Sequence, residues 1–169
     1  MHIRKIIFAY IFLSSIANAA DLTPVFGNGV FGVAWGTTLD ALIGIFPDGD
    51  HTFAVTPGKR AYYVRDGQSF LDIPRARNSV LYGLDENNKV GIAAIAFPYE
   101  RKEELRNRLL LLFGPPEGKS NRDGVNSYGW HEKSGMKVGV TEFGDPSNQI
   151  IWLTVSAPNY KGSEAKCAK

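Results

Sequence analysis

Two stretches of the chain place apolar side chains at helical spacing. Over Thr38–Phe46, Leu39, Leu42, Ile43 and Phe46 recur at the interval that brings side chains to one face of a helix. Thr37 and Asp40 stand at capping-box spacing at its start, and Pro47-Asp48-Gly49 stops it. A second helix is predicted from Glu100 to Phe113, with Leu105, Leu109 and Leu112 on one stripe and Glu104 placed to pair with Arg108 one turn on. Gly114-Pro115-Pro116 ends it.

The other ordered stretches read as strands, because short β-branched and aromatic runs alternate with turn chemistry. Phe31–Trp35 is expected as a first strand. Ala61–Arg65 and Ser69–Ile73 flank Asp66-Gly67, and Ser79–Leu84 and Val90–Phe97 flank Asp85-Glu86-Asn87-Asn88, so each pair is expected as a hairpin. Ser127–Glu132, Met136–Phe143 and Ile150–Val155 follow the second helix as a three-stranded meander. In its last strand Ile151, Leu153 and Val155 share one face and Ile150, Trp152 and Thr154 the other.

The two halves repeat one plan, a helix ending in Phe and a Pro/Gly turn followed by antiparallel strands. A helix with a meander cannot bury its apolar stripe alone, whereas two such units side by side share one core. The predicted fold is α+β: tandem helix-plus-antiparallel-meander units forming one sheet of about seven strands, with two helices packed on one face.

The N-terminus carries an address. Arg4 and Lys5 precede an apolar run from Ile6 to Ile16, too short for the roughly twenty residues of a membrane span. Ala17-Asn18-Ala19 offers a signal-peptidase site, with cleavage expected after Ala19 and Ala20 as the second choice. Residues 1–19 are thus expected as a secretory signal peptide, 20–158 as one domain and 159–169 as a polar tail, with no membrane anchor after cleavage and a periplasmic or secreted destination. Cys167 is the single cysteine, so no intramolecular disulfide staples the domain, and a link between two chains is its one disulfide option.

The leader also carries the charge excess. The chain has 19 basic and 17 acidic residues, and without Arg4 and Lys5 the two sets balance at 17 each. A nucleic-acid partner is not expected of a neutral domain, since phosphate neutralisation supplies most of that affinity. The window Lys59–Arg77 is locally basic and is read as a solvated strand face. No H-x-x-E-H, H-E-x-x-H or C-x-x-C spacing occurs, so neither a metal nor another cofactor is expected. Gly27-Asn28-Gly29-Val30-Phe31-Gly32 fits G-x-G-x-x-G by letter, but without a strand before it and a helix after it the dinucleotide chemistry fails. Asp48 and Asp50 share one turn and read as turn residues.

Neither a G-x-S-x-G elbow nor an S-x-x-K motif is present. His131 with Glu132 is the one conceivable acid/base couple, yet neighbours on a strand point to opposite faces. What remains is a set of residue types that anchor protein interfaces: Tyr62, Tyr63 and Arg65 in the first half, Tyr128, Trp130 and Trp152 in the second. Tyr62, Tyr63, Arg65, Trp130, His131 and Trp152 are the expected partner-binding residues, with packing beneath the helices as the alternative for Trp130 and Trp152.

The segment Trp35-Gly36-Thr37-Thr38-Leu39-Asp40-Ala41-Leu42 through Phe46-Pro47 resembles the opening of small outer-membrane-assembly lipoprotein domains. The tandem helix-plus-meander plan is similar to that of the β-lactamase inhibitor protein family. The chain departs from the first in lacking a lipid-accepting cysteine and from the second in lacking its disulfides. Both resemblances imply a protein-binding module whose sheet face meets its partner. The expected function is therefore an exported, non-enzymatic binding or inhibitory module that neutralises an envelope-acting enzyme or toxin. A structural factor for envelope assembly or cell-wall maintenance and a hydrolase using His131 are the alternatives.

Overall fold

The computed structural model describes residues 20–53, 60–64, 69–76, 80–143, 150–158 and 160, without the side chains of 51–53 and 60. The expected leader, the Asp66-Gly67 turn, Arg65 and the tail with Cys167 lie outside the described residues.

The described chain opens with a single helical turn, α1 (Thr23–Phe26), and then α2 (Leu39–Ile45). Strands β1 (Asp50–Phe53), β2 (Arg60–Val64), β3 (Ser69–Phe70), β4 (Ile73–Pro74), β5 (Val80–Leu84) and β6 (Val90–Pro98) complete the first half. A 3-10 turn, Tyr99–Arg101, leads into α3 (Lys102–Phe113), followed by β7 (Gly118–Arg122), β8 (Val125–His131), β9 (Lys137–Phe143) and β10 (Ile150–Ser156). The fold is α+β, as the periodicity predicts.

The large sheet is antiparallel and has eight strands in the order β1-β2-β5-β6-β10-β9-β8-β7, while β3 and β4 form a separate small ribbon. Each half contributes four strands to this sheet, β1, β2, β5 and β6 from the first and β7 to β10 from the second, and the halves meet where β6 pairs β10. The tandem plan read from the sequence is thus present, with both edge strands, β1 and β7, added to it.

Several boundaries differ from expectation. Phe31–Trp35 is not a strand: Val30 and Val33 close a tight loop in which Phe31 and Gly32 take positive φ, and Trp35 donates its indole N–H to the Phe26 carbonyl at 2.8 Å. The G-x-G-x-x-G letters therefore follow a helical turn and enter a loop. β2 does not pair with Ser69–Ile73 but lies between β1 and β5, because Leu71 and Asp72 turn the chain back on itself within β3-β4. The cap of α2 is Thr38, which accepts from the Ala41 N–H at 3.4 Å, while the Thr37 hydroxyl donates to the Ala34 carbonyl. On α3 the buried stripe is Leu105, Leu109 and Phe113, leaving Leu112 exposed. Glu104 pairs back to Arg101 at 2.9 Å, and Arg108 reaches Asp72 at 3.5 Å instead of Glu104.

One row of side chains carries the core across the sheet. Tyr62, Tyr82, Ala93, Val155, Val138 and Trp130 stand directly opposite one another on successive strands, and none is more than 1% exposed. At its two ends Tyr62 and Trp130 play the same part. Tyr62 donates its hydroxyl to the Phe46 carbonyl at 2.6 Å, and Trp130 donates its indole N–H to the Gly114 carbonyl at 2.9 Å, each 16 residues back along the chain. Phe46 and Gly114 are the C-caps of α2 and α3, whose terminal carbonyls have no partner within the helix. Each bond therefore satisfies a helix end and a buried ring together.

Tyr62→Phe is expected to cost about 1 kcal/mol through the lost hydrogen bond. Trp130→Phe, which also leaves a void, is expected to cost about 2–4 kcal/mol. Urea unfolding of the two single variants and the double variant checks this, with near-additive losses expected because the rings sit at opposite ends of the row.

Candidate functional site

Alternation along the strands gives the sheet two unlike faces. The inward face meets residues of all three helices in one cluster that includes Leu22, Phe26, Leu42, Leu105, Leu109 and Phe113. Ile151, Leu153 and Val155 belong to it, as their spacing predicts. The opposite face carries the intervening residues, and Tyr63, Leu81, Ile92 and Trp152 there are half-buried and outside that cluster.

Three parallel rows make up this second face. The middle row runs Tyr63, Leu81, Ala94, Thr154, Gly139, Gly129, Gly118 from β2 to β7. On one side lie Ala96, Trp152, Thr141, Ser127 and Ser120. On the other lie Ile92, Ser156, Lys137 and His131. Because three successive members of the middle row have no side chain, the β7–β9 end sinks into a trough of about 500 Å³. Ser120, Ser127 and Thr141 wall one side, and His131, Lys137 and Ser156 the other. An added Cβ at Gly118 or Gly139 would meet no atom within 4 Å, so the trough is open there, whereas at Gly129 it would stand 2.6 Å from the Val138 carbonyl oxygen. The face thus grades from aromatic and aliphatic at the β2–β6 end to hydroxyl-rich and cationic at the β7–β9 end.

Tyr63, Trp152 and His131 share this outer face. Tyr62 and Trp130 do not: both rings point into the core and close helix ends, so their assignment as partner-binding residues is corrected to packing. The physical reason is strand parity, which sends Tyr62 and Tyr63, and likewise Trp130 and His131, to opposite faces. For Trp130 the packing alternative is the one observed, and for Trp152 it is not. Arg65 lies outside the described residues.

His131 and Glu132 do not form a couple. The His131 side chain is 56% exposed and its Nδ1 lies 3.6 Å from a Glu117 oxygen on the chain leading into β7. Glu132 turns the other way, accepting from the Leu22 N–H at 3.1 Å, the Thr23 N–H at 3.2 Å, the Thr23 hydroxyl at 2.8 Å and the Ser134 hydroxyl. These donors, led by the Ser134 hydroxyl, hold its carboxyl below the ordinary carboxylate range. Lys137 has no acidic partner among the described residues.

Two further polar groups belong to the inward side. Glu142 is 5% exposed and is met by the Lys102 ammonium at 3.0 Å, a bond that raises the pKa of the lysine. The Arg75 guanidinium lies 4.1 Å from the centre of the Phe31 ring, and burial lowers its pKa. Among the described residues no three His, Cys, Asp or Glu side chains gather as a metal site, and no helix is long and apolar enough to cross a membrane.

Comparison with protein-family models, curated proteins and solved structures gives no match to this chain. The outer face therefore has to be read from its own chemistry. The sequence reading missed the glycine floor, although Gly129 and Gly139 sit mid-strand at positions where glycine weakens a strand unless another backbone or a ligand comes close.

Gly139→Val is expected to leave urea stability within about 0.5 kcal/mol while filling the trough, whereas Gly129→Ala, which collides with backbone, is expected to cost about 1–3 kcal/mol. Glu132→Ala is expected to lower stability at pH 7 and to have little effect at low pH. The folded pKa of this carboxyl is depressed from 4.5, so its contribution is complete above that value and fades as pH falls through the lowered one. Urea midpoints of wild type and Glu132→Ala across pH 2–8 check both the sign and the window.

Proposed function

We propose that this chain is an exported, non-enzymatic protein-binding or inhibitory module that meets an envelope partner through the outer face of its sheet. The observation that carries this reading is the unequal covering of one sheet: three helices pack on one face, and the other keeps Tyr63, Leu81, Ile92 and Trp152 half-buried beside an open trough. Aromatic side chains held rigidly on strands lose little entropy when a partner covers them, which suits them to anchor an interface. The row linking Tyr63 to Thr154 adjoins the row bearing Trp152, so both aromatics belong to a single continuous surface. The resemblance to envelope binding domains supports the same face, and the leader and the balanced charge of the mature chain support an extracytoplasmic protein partner rather than a nucleic acid.

A hydrolase reading has one observation in its favour, the approach of Glu117 to His131 at the rim of a trough that also holds Ser156. It predicts turnover of ester or cell-wall substrates that disappears in His131→Ala, and an absence of turnover by the wild-type domain removes it.

Affinity capture from envelope extract with the mature chain, Ala20–Lys169, tests the binding reading. A stoichiometric protein partner is expected for wild type, with capture lost in the Tyr63→Ala/Trp152→Ala double variant while its near-ultraviolet circular dichroism stays native. Undiminished capture by that variant would move the interface off this face.

A further inference from the structure

The residues that directly follow the expected leader are built into the core of the domain. Ala20 is 7% exposed, and Leu22 and Phe26 are fully buried. Phe26 lies between the rings of Phe70 and Phe113, with centroids at 6.0 and 5.8 Å, and its carbonyl accepts the Trp35 indole N–H. From the far half of the chain, Glu132 takes the Leu22 and Thr23 amides and the Thr23 hydroxyl, contacts that bridge about 110 positions of sequence. Leu22 already has helical dihedrals, with φ −91° and ψ −18°.

A leader-removing protease hydrolyses one peptide bond. Water adds across the Ala19–Ala20 amide, leaving a carboxylate on Ala19 and an ammonium on Ala20. For this the enzyme has to take the residues on both sides of the bond in extended, accessible form. Once α1 is docked, Ala20 and Leu22 are buried, and Leu22 and Thr23 are drawn into a helical turn.

We propose that the segment Ala20–Phe26 is a strap that hides its own processing site, so that removal of the leader has to precede docking of the strap, with Glu132 as the clasp that holds it afterwards. The proposal rests on the export reading and is independent of the binding face. Its energetic basis is local opening: a docked strap is cut only through the small population in which it has come away from the core. Glu132 serves this role through hydrogen bonds to backbone and hydroxyl, a different task from that of its neighbour His131 on the outer face.

The test uses full-length precursor and purified signal peptidase in detergent micelles, comparing precursor refolded before the enzyme is added with precursor diluted from urea directly onto it. Cleavage after Ala19 is expected to be slower by about ten-fold or more for the refolded chain. Glu132→Ala and Phe26→Ala are expected to restore much of the rate, and Trp152→Ala to leave it unchanged. Hydrogen exchange in the mature domain provides a readout without cleavage: the Leu22 and Thr23 amides, protected in wild type, are expected to exchange faster in Glu132→Gln while those of β6 and β10 hold. Equal cleavage of refolded and urea-diluted precursor, with native circular dichroism confirming the fold, would overturn the strap. Cleavage in neither state would instead overturn the export reading beneath it.

Discussion

A helix that ends over a β-sheet leaves carbonyl groups pointing where water cannot reach, and this domain solves that problem twice in the same way. An aromatic ring from the second strand of each meander lies under the end of its own helix and donates its one polar hydrogen to the C-cap carbonyl. Tyr62 and Trp130 thereby bury a large apolar body while satisfying a helix end, and the phase of each helix relative to its sheet follows from the ring's position. The supporting residues differ between halves. Gly49 gives the Tyr62 ring room, since an added Cβ would come within 2.3 Å of it, whereas Trp130 meets Phe113 edge-on with centroids 6.0 Å apart. The repeat is conserved in its physics more than in its letters.

The rest of the architecture follows from filling the inward face. Once Tyr62 and Trp130 fix the ends of the central row, the positions between them have to be apolar, and they are: Tyr82, Ala93, Val155 and Val138. The intervening residues are released from that demand. Composition on the outer face is accordingly free to vary, from Tyr63 and Leu81 at one end to three glycines and a line of hydroxyls at the other. Glycine in strand interiors forfeits side-chain packing and conformational entropy. Gly118 and Gly139 are not forced by crowding, since an added Cβ at either would meet open space. At Gly118 and Gly139 the open floor is therefore a property of the surface, whereas at Gly129 the adjacent Val138 carbonyl requires it.

Much of this was legible in the sequence, and the parts that were not have identifiable causes. The amphipathic spacing of Leu39, Leu42 and Phe46 and of Leu105 and Leu109 located both main helices, and turn chemistry at Asp85–Asn88 located the β5-β6 hairpin, where Asp85 caps the turn through the Asn87 and Lys89 amides. β1 and β7 escaped because each is an edge strand with polar composition, Asp50–Phe53 and Gly118–Arg122, and so shows no apolar period in its sequence. α1 escaped because a single helical turn is too short to show one. The pairing of β2 was misread because Asp66-Gly67 suggests a local hairpin, while Tyr62 pairs with Tyr82 across the intervening β3-β4 ribbon. Sequence proximity favoured the nearer partner, and burial of two tyrosines favoured the farther one.

The site was half legible for a sharper reason. Aromatic content pointed to the right strands, but composition cannot decide parity, and parity decides everything here. Tyr62 and Tyr63, or Trp130 and His131, are adjacent residues with opposite fates, and a slip of one position in register would carry every inward side chain to the outer face. What fixes the register lies in the helix caps that accept from Tyr62 and Trp130. A donor that reaches a helix carbonyl can do so from only one face, so those two bonds select which of each adjacent pair is buried. The outward placement of Tyr63, Trp152 and His131 is then a consequence of how the helices end, and any surface they form is set by the same contacts that close the core.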